Sequence, residues 1–321
     1  MKRCLVLGAG GFIGWHLAKR LHEEGSYVVG VDIKDPEFER FVGTTFIRSD
    51  LRNEDFVKGL MMMNFDELYQ LAADMGGAGF VFTGEHDSEI LMNNAQININ
   101  VARYAHMAGR VFYSSSACVY GPHLSTKEGF AEENAYPACP DSEYGWEKLF
   151  SEHLYLSQKN AVVRIARFHN VYGPYGTWRG GREKSPAALC RKVAESSDPG
   201  IIEIWGNGAQ VRSYLYIDDC IDGVLALMRS PVTGPLNIGS EDAVSIDALA
   251  TLIMSKSGKA LDIKYVPGPI GVSRRQSNND RTKELIGWEP KIPLHIGIAR
   301  TYAWIKDQAE LSAGKIQENM K

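Results

Sequence analysis

Short apolar runs alternate with stretches of helical periodicity through the first half of the chain. Residues 5–7 read as a buried strand, and residues 13–21 carry apolar side chains at the spacing of one helix face. Further strands are expected at 27–31, 45–47, 67–71, 111–114 and 162–166, with helices near 54–60, 90–107 and 142–157. Repeated β-α-β order implies a mostly parallel sheet with helices on both faces and right-handed crossovers. The fold class is therefore α/β, a Rossmann-type doubly wound parallel sheet. After about residue 166 the pattern loosens. Helices are expected at 187–195, 219–228 and 246–255, and strands at 203–205, 213–217 and 236–238. We expect a first domain over 1–167 and a smaller C-terminal α/β lobe over 168–321, with segments able to cross between them. The polar stretch 310–321 is expected to fray.

The turn after the first strand reads Gly8-Ala9-Gly10-Gly11-Phe12-Ile13-Gly14 and opens the first helix. Gly8 permits a tight turn, Gly11 lets backbone approach a pyrophosphate, and Gly14 allows close helix–strand contact. The helix start offers unpaired N–H groups, Phe12 and Ile13 among them, to an anion. Asp32 ends the next strand, where a carboxylate accepts from an adenosine ribose and repels a 2′-phosphate. The expected cofactor is NAD, not NADP. Asp50 and Leu51 close the third strand, where the adenine would lie, and Leu71, Ala72 and Ala73 follow the fourth.

Tyr144 and Lys148 stand four residues apart, on one face of an expected helix. A phenol with an ordinary pKa of about 10 is a poor base at neutral pH. A neighbouring ammonium and the positive charge of a nicotinamide are expected to lower it. Ser116 ends the strand before this helix and could hold a substrate oxygen beside Tyr144.

Together these features resemble the extended short-chain dehydrogenase/reductase family, the NAD-dependent epimerases and dehydratases, over nearly the whole chain. Ser116-Ala117-Cys118 lacks the Asp-Glu pair expected of 4,6-dehydratases at 117 and 118. A cysteine can instead exchange a proton with carbon, aided by a nearby positive charge. With the segment 73–80 and the run 176–184, it resembles the GDP-mannose 3,5-epimerase family. The resemblance implies a GDP-sugar substrate, GDP-mannose first, and an isomerase. It implies catalytic roles for Tyr144, Lys148, Cys118, Lys184 and Ser116, with Cys118 and Lys184 as the epimerising pair. It places Met75, Gly79, Asn170, Glu183, Arg212 and Arg275 at the substrate, with the arginines suited to a diphosphate. Glycines 76, 77, 176, 180 and 181 are expected to shape loops around the sugar. The segments 85–88 and 272–279 depart from the family pattern. Another GDP-sugar such as a heptose therefore stays open, as does a GDP-4-keto-6-deoxymannose epimerase/reductase. Asp32 and the Arg182-Glu183-Lys184 run count against the latter. A homodimer is a further expectation from the resemblance.

Composition narrows the setting. The 321 residues are 44% hydrophobic and 23% charged, with a net charge of −4. Disordered and fibrous classes are excluded, and a broadly basic face for nucleic acid or membrane is not expected. Five cysteines at irregular spacing, with no CxxC pair, give no metal motif and fit a reduced, cytoplasmic protein. No transmembrane segment or cleaved leader is expected from the sequence.

Overall fold

The computed structural model describes residues 1–124, 127–269 and 271–319. Strand β1 (Arg3–Leu7) shows why the expected strands are apolar throughout. Cys4 and Val6 join one buried cluster, whereas Leu5 and Leu7 join another. Successive side chains thus serve opposite faces of a sheet that is covered on both. The first half continues with α1 (Phe12–Glu23), β2 (Tyr27–Asp32), β3 (Thr45–Arg48), α2 (Glu54–Met61), β4 (Glu67–Gln70), α3 (Ala78–Val81), α4 (Asp87–Tyr104), β5 (Arg110–Ser116), α5 (Glu143–Leu156) and β6 (Val163–Phe168).

The second half holds β7 (Val171–Tyr172), α6 (Ser185–Glu195), β8 (Gly200–Trp205), β9 (Val211–Ser213), β10 (Leu215–Tyr216), α7 (Ile217–Arg229), β11 (Pro235–Ile238), β12 (Ala243–Ser245), α8 (Ile246–Ser257), β13 (Leu261–Val266), β14 (Arg274–Arg275), α9 (Asp280–Ile286) and α10 (Leu294–Asn319). Among the described residues the central sheet has seven parallel strands, in the order β11-β6-β5-β4-β1-β2-β3. The order reverses between β1 and β4. In such sheets a ligand crevice opens at that reversal, beyond the C-terminal strand ends. Strand β11 comes from the second half, and pairs with β6 from Pro235↔Ile165 to Ile238↔Phe168. Smaller sheets, β10-β7, β12-β9-β14 and β13-β8, stand beside the crevice.

Two expectations need correction. The strand expected at 213–217 is two short pieces separated by Tyr214, and Ile217 already begins α7. Asp218 and Asp219 in the first turn favour that early start through the helix dipole. The stretch 310–321, expected to fray, is helical within α10 as far as Asn319, and residues 320 and 321 lie outside the described residues. Ile298, Tyr302 and Ile305 bury one face of its earlier turns, and helix propagates from such an anchored stretch. No helix of the described residues is long and apolar enough to cross a membrane.

Candidate active site

The glycine turn is built by close contacts. Gly8 has φ +84°, and a Cβ there would lie 2.7 Å from the Ala72 nitrogen. A Cβ on Gly14 would lie 2.1 Å from the Gly8 carbonyl oxygen. Gly11 differs: its Cβ would meet only that same oxygen, at 3.3 Å. Protein packing thus fixes Gly8 and Gly14, whereas the bare face at Gly11 suits a ligand. Gly11 is the N-cap of α1 and makes no side-chain capping bond. The helix start therefore keeps N–H groups for a phosphate. The Phe12 ring packs on Gly173 and Gly176, so its backbone, with that of Ile13, is what faces the turn.

Asp32 ends β2 and accepts from the Gly10 N–H at 2.9 Å and the Lys34 N–H at 3.2 Å. Burial holds its carboxyl above the ordinary range, against those two hydrogen bonds. The glycine cradle, the uncapped helix start and this carboxylate together fit a dinucleotide. Asp50 takes a different arrangement. Its carboxylate binds the Arg52 guanidinium at 2.6 to 3.0 Å, which pulls its pKa down. Leu51 is buried, with its carbonyl accepting from Asn100. Leu71, Ala72 and Ala73 leave β4 at the switch point, and the amide of Gln70 bonds Ala72 through both its oxygen and its nitrogen.

Helix α5 begins where the Ser142 hydroxyl accepts from the Gly145 N–H. It carries Tyr144 and Lys148, and both are buried. Lys148 donates to the Ser114 carbonyl at 3.2 Å, and its ammonium lies 5.4 Å from the Tyr144 ring centre. A polar chain invisible to motif reading lies underneath. Gln70 donates to Asn98 at 2.9 Å, and Asn98 donates to Glu147 at 2.8 Å. The Glu147 carboxylate is 3.9 Å from the Lys148 ammonium.

The expected lowering of the Tyr144 pKa by Lys148 is not what the protein alone shows. Burial pushes the phenol well up, Cys118 and Glu147 add to this, and only a hydrogen bond with Ser116 opposes it. The ammonium is turned to the Ser114 carbonyl instead, and burial lowers its own pKa.

Tyr144 opens onto a cavity of about 660 Å³, within the range of small-ligand sites. Ser116, Cys118 and Lys184 line it, as do Met75, Gly79, Asn170, Glu183, Arg212 and Arg275. Cys118 sits in a single 3₁₀ turn, Ala117–Val119, capped by the Ser116 hydroxyl, which accepts from the Cys118 N–H at 3.2 Å. Lys184 is the N-cap residue of α6, makes no side-chain capping bond, and lines the same cavity. Burial lowers the Lys184 pKa, and Cys118 is close enough to oppose that electrostatically. Glu183 is tied within its own loop, accepting from the Gly181 N–H at 2.7 Å and pairing with Arg191 at 3.1 Å. The Asn170 amide donates to the Ser213 carbonyl.

Arg275 departs from the open diphosphate fork expected of it. Its guanidinium pairs with the buried Asp141 and donates to the Cys118 sulfur at 3.4 Å. Sequence reasoning missed Asp141, which no motif marks. Among the described residues no cluster of potential metal ligands is present, and the five cysteines are free.

A dinucleotide cradle at the switch point of a doubly wound sheet, next to a Tyr–Lys helix, defines a class. The chain belongs to the NAD dependent epimerase/dehydratase family, whose model matches residues 4–239. It is an enzyme and its cofactor is NAD. Among individual proteins it is 44% identical to GDP-mannose 3,5-epimerase 1 of Oryza sativa subsp. japonica, covering 96% of this chain and 82% of that one. It is 43% identical to GDP-mannose 3,5-epimerase of Arabidopsis thaliana, covering 97% and 84%. Among solved structures it resembles UDP-glucuronic acid 4-epimerase from Bacillus cereus in complex with UDP-glucuronic acid and NAD. There the TM-score is 0.81 and the identity 26%, over 95% of this chain and 99% of that one.

Proposed function

We propose that the chain is a GDP-mannose 3,5-epimerase. The observation that carries this reading is the presence of Cys118 and Lys184 in the same cavity as Ser116 and Tyr144. A 4-epimerase needs only the last two; inversion at C3 and C5 needs an acid and a base of its own. The rice and Arabidopsis likenesses support the same substrate.

NAD, when bound, supplies a hydride acceptor for C4, a hydride donor to restore it, and a positive charge. The glycine turn, the start of α1 and Asp32 would hold it. Tyr144 removes the C4 hydroxyl proton, with Ser116 placing that oxygen. The resulting 4-ketone acidifies C3 and C5, because each carbanion delocalises as an enolate. Cys118 removes a proton on one side, and Lys184, as an ammonium, delivers one on the other. Arg212, with Asn170, holds the nucleotide-sugar. The Arg275 guanidinium faces the Cys118 sulfur and orients it toward the sugar. No net oxidation results.

We place residues 1–167 on the NAD side and 168–321 mainly on the sugar side, with 217–238 returning to the central sheet. The exposed Trp146 and Phe150 on α5, with Leu91 and Met92 on α4, support a homodimer through those helices. A cytoplasmic site agrees with the free cysteines. The test is incubation with GDP-mannose in deuterated water, followed by NMR. GDP-galactose and GDP-gulose epimers with deuterium at C3 and C5 are expected. Unchanged GDP-mannose, with no label, would reject the reading.

A further inference from the structure

Lys184 sits at the end of a loop that Glu183 ties to the Gly181 N–H and to Arg191, but that turns through two glycines. Gly180 and Gly181 both have positive φ, +93° and +89°, and open space around them. An acid that must deliver a proton to one carbon needs firmer support, since a misplacement of about 1 Å can cost about 100-fold in rate. The support comes from Arg182, two residues before Lys184. Its guanidinium lies 3.8 Å from the centre of the Phe80 ring and pairs with Asp74 at 2.8 Å. Its carbonyl accepts from the Gly77 N–H at 2.9 Å. A Cβ on Gly77 would lie 2.3 Å from the Glu183 carbonyl oxygen, so the two loops touch through backbone.

Asp74 is itself anchored. The Asn94 side chain accepts from its N–H at 2.6 Å and donates to its carbonyl at 3.0 Å. Asn93 donates to its second carboxylate oxygen at 3.2 Å, and accepts from Arg52, which grips Asp50. Arg182 thus ties the Lys184 loop to α4 and to the strand ends of the dinucleotide half.

We propose that Arg182, through Asp74 and Phe80, is the positioning residue that fixes Lys184 over the sugar. This rests on the acid role proposed for Lys184. The clasp acts on proton delivery and leaves the Tyr144 oxidation step alone: Phe80 shares a buried cluster with Tyr144, but the variants change only Arg182 and Asp74 and keep that ring and the capped start of α5 in place.

The experiment compares Arg182→Gln, Asp74→Asn, the double variant and Arg182→Lys with the native protein. Hydrogen exchange read by mass spectrometry should be about tenfold faster over residues 176–184 in Arg182→Gln, which loses the ion pair and the cation–π contact, and about threefold faster in Asp74→Asn, which loses the ion pair alone. The double variant should match Arg182→Gln, since the Asp74 partner has nothing left to lose once the guanidinium is gone. With GDP-mannose, transient NADH formation should stay within about twofold, while deuterium entry at C3 and C5 falls at least about tenfold. Arg182→Lys should recover part of that loss. Unchanged exchange over 176–184 overturns the clasp, whatever the substrate. An equal fall in NADH formation and deuterium entry overturns its selective action on Lys184. If the native protein neither forms NADH nor takes up deuterium, the proposed substrate fails, and the exchange data still decide the clasp.

Discussion

Arg275 donates a hydrogen bond to the sulfur of Cys118 at 3.4 Å while its other terminal nitrogen pairs with buried Asp141. A permanently charged, planar group is thereby held against the sulfur by a carboxylate. Replacing Arg275 by Gln should slow alkylation of Cys118 by iodoacetamide at neutral pH by roughly tenfold. Peptide mapping would follow the rate at that one cysteine. An unchanged rate would remove Arg275 from the thiol's environment.

The three motif glycines should separate into two kinds. Gly14→Ala forces a methyl against the Gly8 carbonyl oxygen, and should cost about 2 kcal/mol or more of stability. Gly11→Ala meets that oxygen at 3.3 Å, a tight contact relieved by a small shift, and should cost no more than about 1 kcal/mol, part of it as a poorer helix cap. Its NAD affinity should nevertheless fall at least about tenfold, because the methyl occupies the ligand face. Thermal melts and NADH titrations on both variants check the contrast.

Asp32→Ala removes the acceptor for the Gly10 and Lys34 N–H groups as well as the ribose partner. A tenfold to roughly 100-fold weaker NAD complex is expected, from the loss of charged hydrogen bonds. The preference over NADP should narrow at the same time. Parallel fluorescence titrations with NADH and NADPH measure both effects.

Lys184 carries a pH signature. Burial holds its pKa below the ordinary 10.5, so between the folded and unfolded values the unfolded chain binds more protons. Stability therefore rises with pH through that window and levels off above it. Lys184→Met removes a penalty that is largest when the ammonium is fully formed. The variant should melt above the native protein at neutral pH, and the difference should shrink as pH approaches 10.5. Calorimetric Tm values across that range test the sign; a variant that melts lower at neutral pH would refute it.

What the sequence reveals and what it hides follow from the range of each interaction. The glycine turn and the Tyr144–Lys148 spacing are local, so a short window contains everything that defines them. Cys118 and Lys184 stand far apart in the chain, and only resemblance to a family relates them. Asp141 and the Asn98–Glu147 chain are ordinary polar residues by type. Their importance comes from being buried beside a charge, which depends on distant strands and helices. Tyr144 shows the same limit in energetic terms. Spacing predicts its neighbour correctly as a helix mate, but not that the ammonium turns to the Ser114 carbonyl while burial raises the phenol. The strand at 236–238 is legible in the sequence, but its place in the central sheet is not, because its pairing with β6 joins segments about 70 residues apart.

That returning strand has a consequence for how the molecule is made. β6 has β11 as its outer neighbour, so a chain ending near residue 167 would leave Val163–Phe168 with a bare edge. Such a fragment should aggregate and not serve as a free-standing cofactor module. On the ribosome the same geometry delays completion of the dinucleotide sheet until Ile238 has emerged. By then Cys118, Lys184 and Arg212 have all been synthesised, so the floor under the cofactor is finished only after most of the sugar pocket exists.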